Sequence, residues 1–202
     1  MTDAIVAAFS GPGAGFMYAI TAVLAFALAI AVERAALFWG VWRARPEQVL
    51  DALRAGQVET AVQAAGGHPA ARLLRAGAQA QGPEAAWDAM GAEAALADEV
   101  LRRRVAWLAT SGNVATMLGL LGTIYGLILA FQGLADASSV ERASRISEGI
   151  ATAMTTTAWG LLVGIPALAL HGLMEGKAHR ELAWTEAAAG LLALARRRDA
   201  TG

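Results

Sequence analysis

The chain has 202 residues, no Cys, and 16 basic against 17 acidic side chains, a formal charge of −1. No disulfide, thiolate metal site or Cys nucleophile is open to it, and a near-neutral charge leaves no electrostatic footprint for nucleic acid. Hydrophobic residues make up 56% of the chain but aromatic ones only 6%. Ala and Gly supply much of the apolar content, which suits helices packed closely through small side chains.

About 20 mostly apolar helical residues cross a bilayer core of about 30 Å. Residues 13–32 form the first such window and carry no charge. Only Asp3 is charged before it, so the basic start of a signal peptide is missing and the window reads as an uncleaved anchor. Residues 33–104 follow, rich in charge and punctuated as short helices. Pro46, Pro69 and Pro83 suit first helical positions, and Gly56, Gly66, Gly67 and Gly82 suit helix ends.

Residues 105–135 form a second uncharged window. No Pro lies between Pro83 and Pro166, which predicts one unbroken helix from Pro83 to Ala135. It would hold about 50 residues and span roughly 75 Å. Gly91, Gly112, Gly119, Gly122 and Gly126 would weaken it locally. Residues 136–148 read as a short polar loop. The third window, 149–174, contains only His171 as a titratable group, and residues 175–202 continue it as a helix of good helix formers. Pro166 is predicted to kink this last helix. The fold class is therefore all-α: an integral membrane protein with three transmembrane helices, two of them extended beyond the bilayer.

Basic residues set the orientation. Residues 33–104 hold Arg34, Arg43, Arg45, Arg54, Arg72, Arg75 and the run Arg102 to Arg104. The tail holds Lys177, Arg180 and Arg196 to Arg198, whereas 136–148 holds only Arg142 and Arg145. Residues 1–12 and 136–148 are thus expected outside, 33–104 and 175–202 inside. Trp39, Trp42 and Trp107 fall at the expected inner interface.

The polar residues inside the windows are hydroxyls. Gly122 and Gly126 form a small-xxx-small pair around Thr123, with Thr116 and Asn113 continuing its stripe. Such hydroxyls can equally bond back to their own helix. In the third window Thr152, Thr155 and Thr156 share an arc of about 100°. Thr157 lines up with Ala153, Gly160 and Gly164 instead. One set can face a polar lumen while the other lies at a helix contact, and spacing leaves both assignments open. Neither window holds a carboxylate or a Lys, and Thr does not titrate near neutral pH. A proton path would have to borrow its acid from another chain. Glu148, the nearest acid of this chain, reads as interfacial, as does the Glu33-Arg34 pair. His68, His171 and His179 show no metal-ligand spacing, with His171 packed or interfacial. No phosphate loop, catalytic dyad or cofactor motif is present, which argues against an enzyme.

Three blocks then carry a likeness: Gly119 to Gly126 (GLLGTIYG) with Phe131; Gly149-Ile150 with Thr157 to Leu161 (TAWGL) and Gly164 to Ala167 (GIPA); and Val32-Glu33-Arg34. In these the chain resembles the MotA/TolQ/ExbB proton-channel family, in its three-helix TolQ/ExbB layout rather than the four-helix flagellar one. The resemblance implies a ring, a homopentamer in the bacterial inner membrane with periplasmic N-terminus and cytoplasmic C-terminus. It implies a pore walled by helices two and three, and two copies of a single-span ExbD/TolR-like partner inside it. The partner's membrane Asp would carry the proton. Thr123 and Thr157 match the family's pore threonines, and Thr156 and Thr152 join them as ion-pathway candidates. Gly122, Gly126, Gly160, Gly164 and Pro166 are the candidate packing residues. The function implied is that of a ring-forming subunit of a proton-driven motor; the alternative is a non-conducting membrane scaffold. One departure stands out: Thr152 occupies the position, five before Thr157, where close ExbB and TolQ relatives carry an acid.

Overall fold

The computed structural model describes residues 9–135 and 139–201, all of whose regular structure is helical. The elements are α1 (Ala14–Ala36), closed by a π turn (Leu37–Val41), α2 (Pro46–Arg54), α3 (Val58–Ala65) and α4 (Pro69–Gln79). They continue with α5 (Pro83–Arg102), α6 (Val105–Gln132), a 3-10 turn (Gly133–Ala135) and α7 (Ser139–Thr201). By length and composition, three stretches are able to cross a membrane: Ala14–Val41, Pro83–Gln132 and Ser139–Arg198. The chain forms two compact units, one of Met1–Ala31 with Ala106–Gly172, the other of Val32–Val105 with Leu173–Gly202.

In the first unit, α1, α6 and α7 pack along an apolar seam built on Ile20, Ala115 and Val163. The outward faces of these helices stay apolar and exposed, with Met117, Ile124, Leu162 and Ile165 each at least half accessible. In water this would be a large penalty; in lipid it is the expected surface. The contact between α6 and α7 is made by glycines. Gly112, Gly119 and Gly126 recur every seven residues, so they drift only about 20° per step around α6. Facing them on the antiparallel α7 are Gly164, Gly160 and Gly149 in turn. A Cβ added at Gly160 would stand 2.7 Å from the Ala115 carbonyl and 2.9 Å from the Gly119 Cα. One added at Gly126 would stand 2.5 Å from the Ala153 nitrogen. The two backbones touch, and no larger residue fits.

In the second unit, α2 to α5 and the end of α7 enclose Val49, Leu53, Leu73, Leu74, Met90 and Leu192. Pro46, Pro69 and Pro83 all occupy the start of their helices, where the missing N–H costs nothing. Gly56 and Gly66 follow α2 and α3 in the positive-φ region that suits glycine. Gly82, expected to end a helix, instead caps the start of α5 at φ 92°, while α4 ends earlier at Gln79.

Two expectations are corrected. The helix from Pro83 does not run unbroken to Ala135: α5 stops at Arg102 and α6 starts at Val105. Arg104 sits between them at φ 64°, a conformation costly for a side-chain-bearing residue. Ion pairs flank the break and help offset its cost. Arg102 bonds Asp98 at 2.5 Å and also pairs with Glu175, while Arg104 donates to Glu33 at 2.5 Å. Pairing of this kind leaves no trace in helix propensity. The polar stretch after residue 138 is not a loop either, since α7 is helical from Ser139. Glu141 lies in its first turn, where an acid suits the helix dipole. Gly133 admits the extension closely, as an added Cβ there would stand 2.7 Å from Arg145 Cβ. Residues 136–138 of the expected loop lie outside the described residues. At the far end α7 runs on through Pro166 to Thr201 as one helix.

Candidate functional site: a threonine pair across two membrane helices

Thr123 on α6 and Thr157 on α7 are hydrogen-bonded to one another through their hydroxyls. The glycine contact makes this possible. Gly119 sits one turn from Thr123, and Gly160 lies three residues after Thr157, so the close approach that glycine permits brings both hydroxyls to one point. Thr123 Oγ1 donates to the Gly119 carbonyl at 3.2 Å, and Thr157 Oγ1 reaches the same carbonyl from the other helix at 3.2 Å. The Ala153 carbonyl offers Thr123 another acceptor at 3.5 Å. Each hydroxyl has one proton and two lone pairs. The pair therefore has interchangeable arrangements: either threonine donates to the other while the other donates to Gly119. Both side chains are half-buried, so one side of the pair stays accessible.

The other two candidates stand apart from this pair. Thr156 is 1% exposed and bonds its own helix at Thr152 O (2.9 Å) and Ala153 O (3.2 Å). It presses on Gly122, where an added Cβ would lie 2.5 Å from its Oγ1. Thr152 points its methyl at Gly13, where an added Cβ would lie 2.8 Å away. Thr116 bonds back to Gly112 O at 3.0 Å. Gly122, Gly126, Gly160 and Gly164 all lie at the α6–α7 contact, whereas Pro166 is exposed on α7. Behind the pair, Trp159 Nε1 donates to Thr21 Oγ1 at 3.1 Å, and Thr21 donates to Met17 O at 2.8 Å. This chain ties α7 to α1. Among the described residues no group of three His, Asp or Glu side chains is placed to hold a metal.

Sequence reasoning missed the acceptor that joins the pair, Gly119 O, because a backbone carbonyl has no letter in the sequence. The seven-residue spacing of Gly112, Gly119 and Gly126 was a readable signal. It also missed a polar cluster in the second unit. His68 is 1% exposed and caps α4, its Nδ1 accepting from Ala70 N at 3.1 Å. Its Nε2 faces Glu181 Oε2 at 3.5 Å, and its ring lies 4.6 Å from that of Trp184. Burial pushes the imidazole down to about 4, against the pull of Glu181, so it is neutral near pH 7. Burial opposes ionisation of Glu181 too, but hydrogen bonds from Lys177 and Trp184, each at 2.5 Å, outweigh it and hold the carboxyl below its ordinary value.

Fold and site together define a helical membrane protein whose apolar windows, residues 13–32, 105–135 and 149–174, carry hydroxyls and no acid. Residues 65–187 match the MotA/TolQ/ExbB proton channel family, and the chain belongs to it. It is 40% identical over 75 residues to the biopolymer transport protein ExbB1 of Vibrio cholerae, a stretch covering 37% of this chain and 33% of that protein. It is likewise 40% identical over 77 residues to the Tol-Pal system protein TolQ of Haemophilus influenzae, covering 38% and 33%. The matched stretch spans about a third to a half of the length of such curated relatives. The fold is similar to C. jejuni MotAB, with a TM-score of 0.50 at 19% identity over 95% of this chain and 74% of that one.

Proposed function

We propose that this chain is a ring-forming subunit of a proton-driven motor in the bacterial inner membrane, with Thr123 and Thr157 on the ion path. The observation that carries the reading is the hydroxyl pair itself, two partly exposed threonines joined across a glycine contact within the uncharged stretches 105–135 and 149–174. Membership of a proton channel family supports it. Hydroxyls relay hydrogen bonds but do not titrate near neutral pH, so the ionisable group is borrowed. A single-span partner of the ExbD/TolR type, with an Asp in its membrane helix, would supply it. Five copies of this chain would wall the passage with α6 and α7. Thr152 and Thr156 serve the packing behind the path rather than the path itself. The arginine-rich residues 33–104 and the tail lie on the cytoplasmic side, and the N-terminus is periplasmic. Each proton crossing 100 mV makes about 2.3 kcal/mol available for work.

The test is co-reconstitution with the partner in vesicles under a proton gradient. Flux should depend on the partner's Asp and collapse in Thr123→Val and Thr157→Val while the complex still assembles. Background flux from an intact complex would instead support the scaffold reading, for which the back-bonded Thr116 and Thr156 are the favouring observation.

A further inference from the structure

The second unit holds a cleft of about 250 Å³ at the start of α4, lined among others by Trp42, Gly67, His68, Arg72 and Arg75. Two arginines and no acid line it. Arg72 reaches Glu93 at 3.2 Å with one nitrogen and leaves the rest of its fork open. Arg75 makes no ion pair or hydrogen bond among the described residues. Glu59 shares a separate hollow with Arg75 but does not pair with it. A third cation stands close behind. Arg34 is 3% exposed, its guanidinium lies 5.8 Å from the Trp42 ring centroid, and it donates to the carbonyl of Val100, another cleft residue, at 3.2 Å. Its buried Nε has no partner.

Arg34 is paired with Glu33 at 3.2 Å and Arg72 with Glu93 at 3.2 Å, which leaves Arg75 as the cleft cation whose charge an anion would neutralise. The first N–H groups of α4 are already used, Ala70 N by His68 Nδ1 and Ala71 N by His68 O. The donors must therefore be the arginine forks. Planar forks match the oxygens of a phosphate group, and a Trp beside them accommodates the apolar part of an ester. We propose that this cleft binds a phosphate ester through Arg72 and Arg75. Trp42 directly follows the first membrane-crossing stretch, so a phospholipid headgroup and a soluble phosphate ester can both reach it.

The experiment uses the full chain in detergent micelles with two probes, phosphatidylglycerol followed by native mass spectrometry and glycerol 3-phosphate followed by thermal shift. Saturable binding of phosphatidylglycerol alone assigns a lipid headgroup, and saturable binding of glycerol 3-phosphate assigns a soluble ester. Arg75→Gln should weaken the bound probe about tenfold, the loss of one charge-assisted contact. Arg75 is exposed, so the variant should fold; equal helicity and melting temperature without probe check this. Glu93→Gln frees the fork of Arg72 and should bind at least as tightly as wild type. The absence of saturable binding by both probes, or an Arg75→Gln chain that binds as wild type, would overturn the proposal.

Discussion

Thr157 on α7 reaches across to the Gly119 carbonyl of α6 at 3.2 Å, a distance that only a glycine-lined contact permits. The same contact sets the stability of the first unit. Gly160→Ala places a Cβ 2.7 Å from the Ala115 carbonyl, against backbone that has no free end to move. It should destabilise the chain by about 1–3 kcal/mol. Gly172→Ala, in the same helix with open space around it, should be neutral or gain up to about 1 kcal/mol. Denaturant titration of both variants in detergent makes the comparison, and equal stability would dissolve the close-contact argument.

The threonines of α7 should separate by role. Thr156→Val is nearly isosteric and removes a hydroxyl bonded only to carbonyls of its own helix. Transport or motor output should change less than twofold. Thr157→Ser keeps the cross-helix hydroxyl and should retain most of the output that Thr157→Val loses. A Thr156→Val chain as inactive as Thr157→Val would move the path to the buried side of α7.

Acid should loosen the second unit through His68. Its folded-state value of about 4 lies below the ordinary 6.5 because burial disfavours the charged ring. The unfolded chain therefore binds more protons between those values, and stability rises with pH there. The contribution is complete above about pH 6.5 and is lost as pH falls toward 4, on the order of 3 kcal/mol in all. His68→Asn keeps a side-chain cap on α4 without the titration. Unfolding midpoints from pH 7 to pH 4.5 should fall more steeply for wild type than for this variant; parallel curves would count against the assignment.

Arg104 offers a test of backbone strain. At φ 64° a glycine is at ease where an alanine is not. Both Arg104→Gly and Arg104→Ala lose the half-exposed pair with Glu33, so that loss cancels between them. The Gly variant should be more stable than the Ala variant by about 1 kcal/mol. The reverse order in thermal unfolding would show that the position is not held left-handed in the native chain.

Much of the architecture was readable without coordinates, for identifiable reasons. Three uncharged windows mark the membrane-crossing stretches because burying an ionised group in hydrocarbon is costly enough to sort charges along the chain. Pro46, Pro69 and Pro83 mark helix starts because proline lacks the N–H that a first turn leaves unused. The break at Arg103 and Arg104 was hidden, since it is stabilised by acids distant in sequence, Glu33 and Glu175. The helical start of α7 was hidden as well, because its polar residues read as loop until Gly133 is seen to admit Arg145.

The site divides in the same way. Composition determined that the apolar windows carry hydroxyls and no acid, and the motif blocks singled out Thr123 and Thr157. Helical periodicity could not decide how they relate, because an angle around one axis says nothing about the second helix. Only the tertiary structure joined Thr123 to Thr157 at Gly119 and set Thr156 against Gly122. The physical reason is that side-chain chemistry is local to the sequence, whereas the partner of a hydroxyl is set by how closely two backbones can approach.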